Sequence, residues 1–351
     1  MDRKNDFSLI SRYKGPIMGL AALMIYIFHQ WQHQWVHPEI ASPILNLLFN
    51  FPQRISFLGV DIFFLLSGMG LVYAIEKRSL FSFYIRRLER VYLPFLLSSF
   101  VMALFSGWGI IELARKVSFF DFFFVNINSI LWFVPAIIIF YLFFPAYFQL
   151  FHRSGNKFVF TVGAIAVWLV AALALKNILR GDFYSVVNRI PIFLAGIFLA
   201  WFIREKDFAI TKAVWTGIVF SLVLGLFLAY MTNFKGMYLL VPISNCCVPN
   251  FLMAIPVSLI VAYAFSFMNR YTPSSYVVRF FSFFGTISLE LYCMHEWLDD
   301  IIRPRMSVSY EFCVDYGWCI DLVVFISAVA SALLLHYACR RLLKVLRSLS
   351  H

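Results

Sequence analysis

Long apolar stretches follow one another along almost the whole chain, separated by short polar or basic breaks. A helix needs roughly 17 to 25 mostly apolar residues to cross the hydrocarbon core of a bilayer. Ten stretches of that kind are present, near 17–36, 55–75, 92–111, 129–150, 158–175, 188–203, 213–231, 238–267, 280–298 and 318–338. The eighth is long and interrupted by Pro242, Asn245, Pro249 and Asn250. This pattern predicts an all-α, polytopic membrane protein of about ten transmembrane helices, forming a single transmembrane domain over residues 1–351. No loop is long enough to hold a separate soluble domain, and no internal repeat is visible.

Composition sharpens the picture. Of 351 residues, 62% are hydrophobic and 13% charged, with a mean hydropathy of +0.82, and a water-soluble fold has nowhere to hide that much apolar surface. In lipid the difficulty disappears, because helices satisfy their own backbone groups and apolar side chains face outward. A net charge of +11 would suit nucleic acid if it lay on one face or tail. The basic residues instead fall in short clusters between apolar runs, which argues against a nucleic-acid partner and for topology. With the N-terminus inside, 20 of the 29 basic residues lie in inner segments, and an even number of helices returns the C-terminus to the cytoplasm. Arg3, Lys4, Arg12 and Lys14 precede the first run like a signal peptide's basic region, but no small-residue cleavage site follows, so a retained helix is expected. The six cysteines show no zinc or redox spacing.

Ionisable groups inside a bilayer are costly and usually pair or line a cavity. His29, Asp61, Glu290 and His295 are such groups here. Counted along helices rising about 1.5 Å per residue, His29, Asp61 and Glu290 fall at one level in the outer half. Taken singly, each is equally well read as a buried, hydrogen-bonded structural residue. His29, His33 and His37 recur at the i, i+4, i+8 spacing that can chelate zinc. However, His33 and His37 sit among Trp31 and Trp35 where an interfacial belt begins, so no metal is expected. Arg86, Arg87 and Arg90 precede Pro94 on the cytoplasmic side. Positive-inside topology explains them, and so does phosphate binding through the guanidinium fork.

Several of these segments together resemble the acyltransferase 3 family of integral-membrane acyltransferases. They are GLAALMIYIFH (Gly19 to His29), GVDIFFLLSG (Gly59 to Gly68), YIRRLERVYLP (Tyr84 to Pro94), LWFVPAIIIFYLFFP (Leu131 to Pro145), RIPIFLAG (Arg189 to Gly196) and GTISLELYCMH (Gly285 to His295). Each is weak alone, and their order and spacing carry the resemblance. The chain is similar to the stand-alone members, without a C-terminal esterase-like domain. It departs from the family's arginine, which stands ten intervening residues before the histidine. Met18 occupies that place, and Lys14 lies one turn earlier on the same face.

The resemblance implies an O-acyltransferase of the bacterial inner membrane that moves an acyl group, acetyl by family habit, from cytoplasmic acyl-CoA to a hydroxyl of a cell-envelope or exported glycan. His29 is then the base or the acyl carrier, and Asp61 or Glu290 orients it. Arg86, Arg87, Arg90 and Lys14 are expected near the donor's phosphates. Trp132, Arg189, Tyr292 and His295 are expected where the acceptor enters, although ordinary interfacial packing explains them too. No permanently bound cofactor is expected. Two other readings remain open at this point: a catalytically silent relative, motivated by Met18, and a transporter of a sugar or lipid intermediate, motivated by the broken eighth run.

Overall fold

The computed structural model describes residues 5–33, 43–77, 79–125, 131–175, 185–237, 247–271, 275–307 and 310–349. Fourteen α-helices are formed among them. These are α1 (Ser8–Arg12), α2 (Lys14–His33), α3 (Pro43–Ile55), α4 (Leu58–Ile75), α5 (Leu80–Ser106), α6 (Ile110–Val117), α7 (Phe133–Arg153), α8 (Lys157–Ala174), α9 (Ile190–Glu205), α10 (Lys212–Lys235), α11 (Cys247–Tyr271), α12 (Tyr276–Thr286), α13 (Ser288–Met306) and α14 (Tyr310–Leu349). Apart from one isolated backbone bridge between Asn5 and Phe208, no strand pairing occurs among the described residues. The chain is an all-α, polytopic membrane protein.

Eight helices among the described residues are long and apolar enough to cross a membrane, and α12 with α13 makes a ninth if that pair, bent by 72°, is one span. The first expected stretch falls in the helix α2, which carries Lys14, His29, Gln30, Gln32 and His33 and is not among those eight. Of the four residues expected to break the eighth stretch, two are described. Pro249 and Asn250 fall in the first turn of α11, where a proline's missing N–H does no harm. Pro242, Asn245 and His37 lie outside the described residues.

The helices form two compact units. The first comprises Met1–Ala21, Leu58–Phe83 and Ile139–Thr286. Its centre is α4, buried along most of its length, as befits a helix that is apolar all round. Here the motif glycines explain themselves. A Cβ on Gly68 would overlap the Phe193 carbonyl oxygen of α9, and one on Gly196 would overlap that of Leu65 on α4. Gly19 of α2 meets the Phe281 carbonyl of α12 in the same way, and Gly285 meets that of Gly15. In lipid no hydrophobic effect drives helices together, so close backbone approach through small residues does that work. The N-terminal segment is tied to the turn after α9. Asn5 Nδ2 donates to the carbonyls of Phe202 (3.1 Å) and Lys206 (2.8 Å), and the Asp6 carboxylate accepts from the Ile210 N–H at 2.8 Å.

The second unit comprises Ala22–Phe57, Tyr84–Ile138 and Ile287–His351. In it α13 and α14 pack side by side and are joined by two polar contacts, Glu290 with His336 at 2.7 Å and Arg303 with Asp321 at 2.8 Å. The numbering falls along one helix as it rises along the other, so the two run antiparallel. Arg347, near the end of α14, pairs with Glu89 of α5 at 2.7 Å.

Candidate active site

Within the second unit, His29 near the end of α2 meets His295 in the second turn of α13. Nδ1 of His29 lies 2.6 Å from Nε2 of His295, the ring centroids are 4.9 Å apart and the planes differ by 10°. Those three values place the imidazoles edge to edge and nearly coplanar, the arrangement of a short N–H···N bond. Both are buried, at 8% and 1% exposure.

The backbone decides which nitrogen carries which proton. His295 Nδ1 stands 2.9 Å from the Leu291 carbonyl oxygen, and a carbonyl only accepts, so Nδ1 is the protonated nitrogen. Neutral His295 therefore presents a lone pair at Nε2. His29 must donate from Nδ1 to meet it, which leaves the His29 lone pair at Nε2. Leu291 lies one turn before His295 on α13, so the ring reaches back along its own helix to that carbonyl, which has a second lone pair to offer beside its helical bond. Glu296 adds a carboxylate, its Oε2 3.7 Å from His29 Nδ1. The Tyr26 and Tyr292 rings flank His295 at 5.8 and 6.0 Å.

One turn further along α13 lies a buried ionic cluster. Arg303 donates to Asp299 through Nε (3.0 Å) and through Nη2 to Gln30 (2.7 Å) and Asp321 (2.8 Å). The cluster clamps the residue after His29 to α13 and α14 together. Asp299 is fully buried, so removing its counterion strands a charge, a change that typically costs ~3–5 kcal/mol. We expect Arg303→Leu to lower the thermal midpoint and the monodisperse yield of the purified protein sharply. A wild-type melting curve for this variant would mean that the cluster contributes nothing to the fold.

The other residues expected from the sequence have these places. Asp61, on α4 in the first unit, is buried and accepts from Asn250 Nδ2 at 2.6 Å, with Arg189 Nε at 3.5 Å. Arg189 itself is 1% exposed. Glu290, in the second unit, is held by His336. Lys14 directs its ammonium against Gly70, where the missing side chain leaves room. Arg86 and Arg90 are exposed and Arg87 is half-buried, on either side of Glu89. Tyr292 is buried, its hydroxyl accepting from the Phe133 N–H at 3.2 Å, and Trp132 beside it is half-buried.

Sequence reasoning missed Glu296, Gln30, Asp299, Arg303, Asp321 and His336. For His336 a signal was present, an ionisable residue at the end of an apolar run, the same signal that singled out His29. For the rest, position near an outer boundary made solvation the simpler reading.

His29, His295 and Glu296 also offer one ligand atom each, all within 4.8 Å of one another. Two imidazole nitrogens on one tetrahedral zinc stand about 3.3 Å apart given ordinary Zn–N lengths, whereas these are at 2.6 Å. The spacing is that of a shared proton.

A buried imidazole pair with an assigned lone pair and an adjacent carboxylate can take a proton from a hydroxyl or accept an acyl group. Compared with known proteins, the chain matches the model of an acyltransferase domain over residues 19–339. No curated protein and no solved structure matches it.

Proposed function

The chain belongs to the acyltransferase 3 family, and from that premise we propose that it is a membrane O-acyltransferase carrying an acyl group from cytoplasmic acyl-CoA to a hydroxyl of an envelope or exported glycan in a bacterial inner membrane. Acetyl-CoA is the donor we favour, on family resemblance. The observation that carries the mechanism is the His29–His295 hydrogen bond with its tautomers set by the Leu291 carbonyl.

In this reading His29 Nε2 takes the acceptor's proton as the hydroxyl attacks the thioester, or attacks the thioester itself and holds the acyl group until the hydroxyl arrives. Either way positive charge develops on the His29 ring. His295 accepts the Nδ1–H and keeps the ring in register, the role expected of Asp61 or Glu290 and one an acid fills behind other catalytic histidines. Glu296 stabilises the charge from 3.7 Å, an interaction worth more in a buried site than in water. Arg86, Arg87 and Arg90 hold the donor's phosphates. Trp132 and Tyr292 belong to the acceptor side.

Purified protein in lipid nanodiscs, given acetyl-CoA with and without envelope glycan, is expected to release free CoA thiol only when the glycan is present. No release with any acyl-CoA would overturn this reading in favour of a catalytically silent member, which Met18 at the position of the family's arginine also motivates.

A further inference from the structure

Glu290 and His336 form a second acid–imidazole pair in the same unit as His29, and the step just described leaves it without a task. Glu290 Oε1 is 2.7 Å from His336 Nδ1, with the two side chains 10% and 24% exposed. An ionisable pair inside membrane-spanning helices is costly to keep. Its place along the helices is informative. Glu290 precedes His295 by five residues on α13, about 7.5 Å of helical rise. It is displaced toward the end of α14 at which Arg347 meets Glu89, eleven residues or about 16 Å beyond His336. Arg86, Arg87 and Arg90 flank Glu89 on α5. Along this unit the order is therefore arginine cluster, His336 with Glu290, and then His29 with His295. A donor anchored by its phosphates at the arginines and reaching His29 with its thioester has its sulfur on the His336 side of the acyl carbon.

We propose that His336 is the general acid that protonates the departing thiolate, with Glu290 as the positioning residue that fixes its ring. The proposal rests on the acyl-transfer reading above. In its charged form His336 gives Nδ1–H to Glu290 and carries a second proton on Nε2. As the acceptor's O–H proton passes to His29 and its oxygen bonds to the acyl carbon, the C–S bond breaks and its electron pair leaves on sulfur. The Nε2 proton of His336 then moves to that sulfur, giving the free thiol. His336 regains a proton from water and His29 releases one to water, so protons balance over the cycle. Attack and departure thus have separate proton carriers, one for each side of the reacting carbon.

The test is a leaving-group series. Acetyl thioesters of N-acetylcysteamine, thiophenol and 4-nitrothiophenol, together with acetyl-CoA, span a wide range of thiol acidity, and kcat/KM is measured for each with wild type, His336→Gln and Glu290→Gln. General acids contribute typically 10²–10⁴-fold, so we expect His336→Gln to lose ~10²-fold or more with acetyl-CoA and N-acetylcysteamine and far less with 4-nitrothiophenol. Its dependence on thiol pKa is therefore steeper than that of wild type. Glu290→Gln, which keeps the side chain's shape, should steepen the same line to a smaller degree. A purely structural role lowers all donors equally. Parallel lines, or no loss with acetyl-CoA, would overturn the role of His336 while leaving acyl transfer standing. A wild type that turns over none of the donors would overturn the acyl-transfer reading itself, and this role with it.

Discussion

Replacing His29 by alanine is expected to reduce acyl transfer by ~10³-fold or more, the scale on which a residue that serves as base or nucleophile contributes. The geometry makes a sharper statement than the loss alone. His295 acts only by accepting the His29 Nδ1–H, so a side chain that keeps an acceptor at that point should preserve part of the rate. His295→Gln is expected to fall between wild type and His295→Ala, while His29→Gln should be as inactive as His29→Ala. Thiol release measured for the four variants in nanodiscs checks the order. Equal activity of His295→Ala and wild type would remove the dyad from the mechanism, and retained activity in His29→Ala would remove the site.

The second large effect is on assembly. Gly196 of α9 and Gly68 of α4 face one another's helix so closely that a Cβ on either would overlap a backbone oxygen. Backbone cannot swing aside as a side chain can, so Gly196→Leu must push the two helices apart along their whole contact. We expect a penalty of about 3 kcal/mol or more, at the upper end for overpacked sites, seen as loss of monodisperse protein after extraction. Gly217 on α10 supplies the control, since nothing lies within 4 Å of a Cβ there. Gly217→Leu should be tolerated and gains up to ~1 kcal/mol in helix propensity. If both variants behave alike, the close α4–α9 crossing is not what holds the first unit together.

These two cases mark how far the sequence could be read. Helices were legible because hydrocarbon imposes a length and a composition on each crossing, whereas the bend of 72° that divides the ninth expected stretch into α12 and α13 leaves no mark in hydropathy. His29 was legible for the complementary reason, a titratable group where none is free to be. Its partner was not. Depth counted along helices put Asp61 and Glu290 level with His29, but depth carries no rotation. In the structure His29 faces His295, while Glu290 turns to His336 and Asp61 to Asn250. The motif glycines were noticed as parts of a resemblance, and their physical cause appears only once the facing carbonyls are known. Likewise α2 read as an ordinary span, although the polar residues it carries keep it from being apolar enough along its length to count among the eight.

The tie between Asn5 and the carbonyls of Phe202 and Lys206 has a consequence for biogenesis. Synthesis runs from the N-terminus, and a contact cannot form before both partners exist. Asn5 therefore has to wait for these partners while some 200 further residues are made and the helices among them are threaded into the membrane. Only when the turn after α9 emerges can this tie close, so a contact of the first unit whose one half is made early still forms late.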